Sequence, residues 1–153
     1  MEELPPLMYV SILSLTLYSV SSWCHFIFSC SGDFNIKPHE PVYHFLTTGE
    51  LDESSEFYPT PKYGMAWKPT MKPMRSAYAV HNGREPDFTN FALSERESEP
   101  FIETLDFIFL SDEWKVTDVL DLPHRDAAQG PFPNLDCNEP SDHVLIAATL
   151  QIN

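Results

Sequence analysis

One aspartate lies inside an otherwise apolar run, Leu105-Asp106-Phe107-Ile108-Phe109-Leu110, and that run narrows the folds open to this chain. Aromatic and aliphatic residues alternate with no polar face, so the pattern predicts an inner strand over Thr104–Leu110, covered on both sides. A carboxylate carried into such a core is costly unless something pairs with it. A second apolar run, His25–Cys30, feeds Gly32-Asp33-Phe34-Asn35 and reads as a companion core strand. A third polar set, Ser141-Asp142-His143, abuts the apolar stretch Val144–Ile152. Strands that end or begin at such residues can aim distant polar groups at one point.

The remaining elements follow from local signals. Pro41 suits a first helical position, Val42, Phe45 and Leu46 recur at helical spacing, and Gly49 suits a stop. Residues 50–76 are acidic, then rich in proline and basic, and read as a long loop with short helical turns. Ser76–Val80 fits either a strand or a short helix, and Asn82-Gly83 signals a turn. Phe88–Leu93 reads as a short strand carrying Thr89 and Asn90, Ser94–Pro100 as a charged connector, and Trp114–Leu120 as a strand. Leu122–Ser141 is irregular, and Val144–Ile152 closes the chain as a strand. Strands dominate beside one clear helix. The expected class is α/β in the α+β sense, with mixed, largely antiparallel sheets.

The length of 153 residues fits one domain with a real core. Nine basic against 23 acidic residues give a net charge of −14, which argues against stable binding of duplex DNA. The acids are unevenly spread. Phe57 to Arg84 holds none, yet contains Lys62, Lys68, Lys72, Arg75 and Arg84. With Tyr58, Tyr63 and Trp67, this segment reads either as a stacking rim for a single strand or as a loop with its aromatics tucked on the core; the second is preferred. Cys24, Cys30 and Cys137 have neither the number nor the spacing of a disulfide framework or zinc site, which points to an intracellular, cytoplasmic setting. Residues 7–31 carry no charged side chain besides His25 and are long enough to span a bilayer. Glu2 and Glu3 precede them in place of a positive flank, so a secretory signal is disfavoured and membrane association is the lesser reading. The preferred division is an apolar leader over 1–24 and a folded region over 25–153.

Asp33, Asn35, Asp142 and His143 form a set suited to metal-assisted hydrolysis of a phosphate ester. A carboxylate positions water, an amide holds a phosphate oxygen, and an Asp-His pair contacts metal and phosphoryl group. Taken singly, Asp33 and Asn35 would pass for turn residues.

Their order along the chain adds to this. GDFN at 32–35, PVYHFLTTGEL at 41–51, SAY at 76–78, EPDFTNF at 85–91, TLDFIF at 104–109, PN at 133–134 and PSDH at 140–143 resemble the endonuclease/exonuclease/phosphatase superfamily. The likeness is to its deadenylase-like branch: carbon-catabolite-repressor-type deadenylases, nocturnin, Angel and the 2′-phosphodiesterases. It covers about residues 26–152 and looks like the C-terminal half of the domain, a four-layer α/β sandwich. The resemblance implies hydrolysis of a phosphodiester, at an RNA 3′ end or in a nucleotide, with Mg²⁺ or alternatively Mn²⁺. By that likeness Asp33 orients or deprotonates the attacking water and lies with Asp142 by the metal. Asn35 binds the phosphate, and His143 contacts the scissile phosphate. Asp106 accepts a hydrogen bond from His143, and Asn90 lies near the substrate nucleotide. The family's metal-binding Glu, its first-strand Asn and its Thr-His-Leu-type His have no counterpart in residues 1–25. Two alternatives stay open: a catalytically inactive fragment, and the same fold acting on another phosphoester.

Overall fold

A computed structural model describes residues 14–19, 26–68, 70–93, 98–128, 130–133 and 140–153. Cys24, His25, Asn134, Cys137 and residues 94–97 of the connector lie outside the described residues, as does most of 1–24. In chain order the elements are strands β1 (Ser14–Ser19) and β2 (Phe26–Asp33), helix α1 (Pro41–Thr48), the short strand β3 (Arg75–Ser76) and helix α2 (Ala77–Asn82). Strands β4 (Asn90–Ala92), β5 (Phe101–Glu103), β6 (Asp106–Leu110), β7 (Trp114–Val119) and β8 (Ala148–Ile152) follow. The fold is α+β, built on small antiparallel sheets.

The largest sheet has the order β1-β2-β6-β3. Its β6 strand is buried at every position, as the apolar run predicts. Side chains alternate across a strand. Phe107 and Phe109 therefore fall on one face, with Met74, Phe28, Phe34, Tyr43 and Leu46. Ile108 and Leu110 fall on the other, with Ile27, Tyr78, Trp114 and Val119. Thus α1 covers one face, while α2 and the paired strands β7 and β8 cover the opposite face. Asp106 shares the parity of Ile108 and Leu110, at the end of the strand where that second layer stops. Ser14–Ser19, within the segment read as a leader, pairs with β2 along its whole length.

Local rules account for the helices. Pro41 opens α1, and Gly49 closes it in the left-handed region at φ 76°, its N–H donating to the Phe45 carbonyl. Ser76–Val80, open between two readings, divides: Arg75–Ser76 pairs with β6, and α2 begins at Ala77. Gly83 ends α2 at φ 75°, where the turn was expected.

Strands β4, β6 and β7 are shorter than expected by one to three residues, and two larger differences stand beside them. The last strand begins at Ala148, four residues later than its apolar pattern. Val144 is instead buried with Phe88 and Phe91, and its N–H donates to the Thr89 carbonyl. Residues 144–147 are thereby used to cross from one cluster to the next. The three-residue β5, paired with β4, was not read at all; it is too short and too exposed to show a period.

One half-buried contact sets a pH prediction. Tyr43 on α1 donates its hydroxyl hydrogen to Glu85 Oε1 at 2.5 Å. Burial pushes the Glu85 carboxyl above its usual range. A carboxyl raised on folding lends its full stabilisation below its unfolded pKa and loses it as pH rises through the folded one. Glu85→Gln keeps an acceptor for Tyr43 without the charge. The variant is expected to be more stable than the parent near neutral pH, with the difference shrinking as pH falls through the carboxylate range. Urea melts at about pH 7 and about pH 3.5 check this; a pH-independent difference would contradict it.

Candidate active site

The centre is built where β2 ends and β6 begins. The strands run antiparallel with Asp33 directly opposite Asp106, and cross-strand partners share a face. The ladder continues one step further, Phe34 N–H donating to the Leu105 carbonyl at 2.9 Å. Phe34 then turns into the aromatic layer, its ring edge-on to Phe109 at 4.9 Å between centroids. This wedge anchors the turn that follows. Asn35 has φ 51°, a left-handed conformation that Asn tolerates better than most residues. Its backbone N–H donates to Asp33 Oδ1 at 2.8 Å. One oxygen of Asp33 is thus held by its own turn. Lys37, two residues on, ties this loop to β5 through Glu103 at 3.3 Å.

The other side of the site arrives on β4. Asn90 and His143 form an antiparallel bridge, with Phe91 N–H donating to the Asp142 carbonyl and Val144 N–H to the Thr89 carbonyl, both at 2.8 Å. Residues 142–144 therefore line β4 like a short extra strand. Ser141 Oγ accepts the His143 backbone N–H at 3.1 Å and sets the approach. The Thr89 hydroxyl, fully buried, accepts from the backbone N–H groups of both Leu105 and Asp106 at 2.9 Å. One oxygen thereby fixes β4, and the histidine it carries, against the start of β6.

Thr89→Val keeps the shape and removes that oxygen. Two buried N–H groups lose their acceptor, at about 1–3 kcal/mol each, so stability is expected to fall by about 2–6 kcal/mol. Thr89→Ser should retain most of it. Denaturant midpoints check this, and equal midpoints for the Val and Ser variants would contradict it.

The side chains then meet. His143 Nδ1 lies 2.7 Å from Asp106 Oδ2, and His143 Nε2 lies 3.9 Å from the remaining oxygen of Asp33, Oδ2. Asp106 is 3 % exposed in its side chain, His143 17 % and Asp33 38 %, so the three run from core to surface. The hydrogen bond to Asp106 raises the His143 pKa above its ordinary value. Burial opposes this, and the charges of Asp106, Asp142 and Asp33 add to the rise. The shift is toward the imidazolium form, with Nδ1 engaged by Asp106 and Nε2 on the Asp33 side. The 3.9 Å gap is too long for a direct hydrogen bond, and a water or phosphate oxygen can bridge it.

Of the six residues singled out in the sequence, Asp33, Asp106 and His143 converge by their side chains. Asp142 is close enough for its charge to act on the imidazole. Asn90 is buried and joins through its backbone. Asn35 is exposed, one residue beyond Phe34, and fastens Asp33 through its N–H. Thr89 and Ser141 were read as strand and motif residues without a role. A hydroxyl within a short strand bounded by Phe88 and Phe91 was the available signal for the first. Among the described residues, no group of three or more His, Cys, Asp or Glu is arranged to hold a metal ion, and no helix is long and apolar enough to cross a membrane.

The basic segment is partly absorbed by the fold. Tyr58 and Phe45 both pack against Trp67, with centroids 5.2 and 5.6 Å away. The Arg75 guanidinium donates to the carbonyls of Ser111, Asp112 and Trp114.

No family model matches the chain. Over 126 residues the chain is 36 % identical to the carbon catabolite repressor protein 4 homolog 4 of Arabidopsis thaliana, a match covering 80 % of this chain and 26 % of that protein. The chain thus spans about a quarter of the length of the curated relative it matches.

Proposed function

Because the chain belongs to the endonuclease/exonuclease/phosphatase superfamily, with a carbon catabolite repressor 4 homolog as its relative, we propose that it is a deadenylase-type phosphodiester hydrolase acting on the 3′ end of single-stranded RNA. The observation that carries this reading is the line Asp106–His143–Asp33 at one sheet rim, with a gap at its outer end.

Each group has a task suited to its surroundings. Asp106, buried and hydrogen-bonded, holds the imidazole in one orientation and favours its protonated form. His143 presents Nε2–H to a phosphoryl oxygen and stabilises charge developing there. Asp33, the most exposed of the three, has Oδ1 fixed by the Asn35 turn, while Oδ2 on the His143 side orients a water and accepts its proton. Asn35 offers its carboxamide to a phosphate oxygen, and Asn90 positions the adjoining nucleotide.

The donor set suits a hydrated Mg²⁺ or Mn²⁺. Such ions accept one or two protein carboxylates and keep their other positions for water and phosphate. Asp33 and Asp142 would hold the ion, which supplies charge neutralisation at the phosphoryl group when bound. Asp106 is already engaged by His143.

A second reading is favoured by one observation, the lack among the described residues of a three-ligand metal set. On that reading the chain binds RNA without cleaving it. The discriminating assay incubates the 153-residue chain with a labelled single-stranded oligoadenylate bearing a free 3′ hydroxyl. The hydrolase reading expects a ladder of shortened products with Mg²⁺ and none with a chelator. Intact RNA under both conditions, with binding retained, would establish the second reading instead.

A further inference from the structure

The segment 57–84 is not fully accounted for by packing. Arg75 is spent on carbonyls, and Arg84 pairs with Asp87 at 2.9 Å. Lys62, Lys68 and Lys72 are exposed and form no ion pair among the described residues. Lys62 and Met65 close a tight hairpin, Met65 N–H donating to the Lys62 carbonyl at 3.0 Å. Its two central residues, Tyr63 and Gly64, have φ of 55° and 73°. A turn with positive φ at both positions prefers Asn-Gly. A tyrosine there is strained by about 1 kcal/mol or more. This tyrosine is also 94 % exposed, so no packing offsets the strain. Met65 beside it is 68 % exposed. The hairpin is nonetheless anchored, because Tyr58 and Trp67 on its two arms pack edge to face and Trp67 seats on Phe45 of α1.

We propose that the Lys62–Met65 hairpin is a docking point for single-stranded RNA, with Tyr63 stacking on a base and Lys62, Lys68 and Lys72 contacting the flanking phosphates. The occupant follows from charge. In a chain of net charge −14, this acid-free stretch is where a polyanion meets cations, and every base has a face on which an aromatic ring can stack. A hairpin tip that holds its ring in water presents that face without first having to unpack it. The inference takes its ligand class from the function proposed above, but its binding step requires no cleavage.

The test is fluorescence anisotropy of a labelled oligoadenylate with the 153-residue chain in chelator, so that hydrolysis plays no part. Tyr63→Ala is expected to weaken binding by about 5- to 100-fold, and Tyr63→Trp to retain it. Lys62→Ala with Lys68→Ala should flatten the dependence of log affinity on log salt by about 0.7 per lysine. Both sites are exposed, and circular dichroism verifies the fold of each variant. Parent-like affinity and salt slope in the variants, or no binding by the parent, would overturn the proposal and leave the tip to a protein partner. Tyr63-dependent binding without any cleavage would uphold it while the hydrolase reading fails.

Discussion

His143→Ala is expected to lower phosphodiester hydrolysis by about 10²- to 10⁴-fold, the range typical of a positioned proton donor or charge stabiliser. The loss should fall on kcat, with KM changed little, because Nε2 acts where charge develops in the transition state. Asp33→Asn removes the group that aligns water and should lose a similar factor. Asp106→Asn makes a sharper test, since Asp106 acts on the reaction through the histidine in this scheme. The hydrogen bond to its carboxylate is the chief cause of the raised His143 pKa. Without it the imidazolium deprotonates at lower pH, so the alkaline limb of the kcat profile should move down in pH. A purely structural Asp106 would lower activity without moving that limb. Activity of the alanine variant within twofold of the parent would remove His143 from the mechanism.

Phe109→Ala is expected to cost about 3–5 kcal/mol, as truncation of a fully buried phenylalanine does. The residue has no exposure, stacks on Phe107 with centroids 5.2 Å apart, and meets the edge of Phe34 and the tilted ring of Tyr43. A small domain is stable by about 5–15 kcal/mol, so this single change removes a large part of it. The effect should reach the site, because Phe34 lies between Asp33 and Asn35 and leans on the ring removed. Phe109→Leu refills much of the volume and should cost clearly less. Guanidinium unfolding curves measure both. A loss below about 1 kcal/mol for the alanine variant would show that Phe109 is not a keystone of that face.

Both predictions join local and long-range structure, and the two were unequally readable. The helix α1 and its end at Gly49 were legible because proline and glycine act on the backbone where they stand. The double-sided burial of β6 was legible because its residues leave no polar face. The start of β8 and the existence of β5 were not, since pairing with distant segments decides them. The fate of the basic segment was divided in the same way. Its composition revealed an acid-free stretch, but only packing sorted Trp67 onto Phe45 and left Tyr63 in water.

At the site, the chain's own letters were enough to single out two aspartates at strand edges and an Asp-His pair, because charged groups beside apolar runs need a reason to be there. They were also enough to demand a partner for Asp106. Which imidazole nitrogen meets it, 37 residues away, is settled by how β4 carries His143 against β6 and how the Thr89 hydroxyl holds the two together. The division has a physical basis. Torsional preference and burial act within a few residues and leave a trace in order and composition, whereas a distance of 2.7 Å between remote side chains exists only once the sheet has closed.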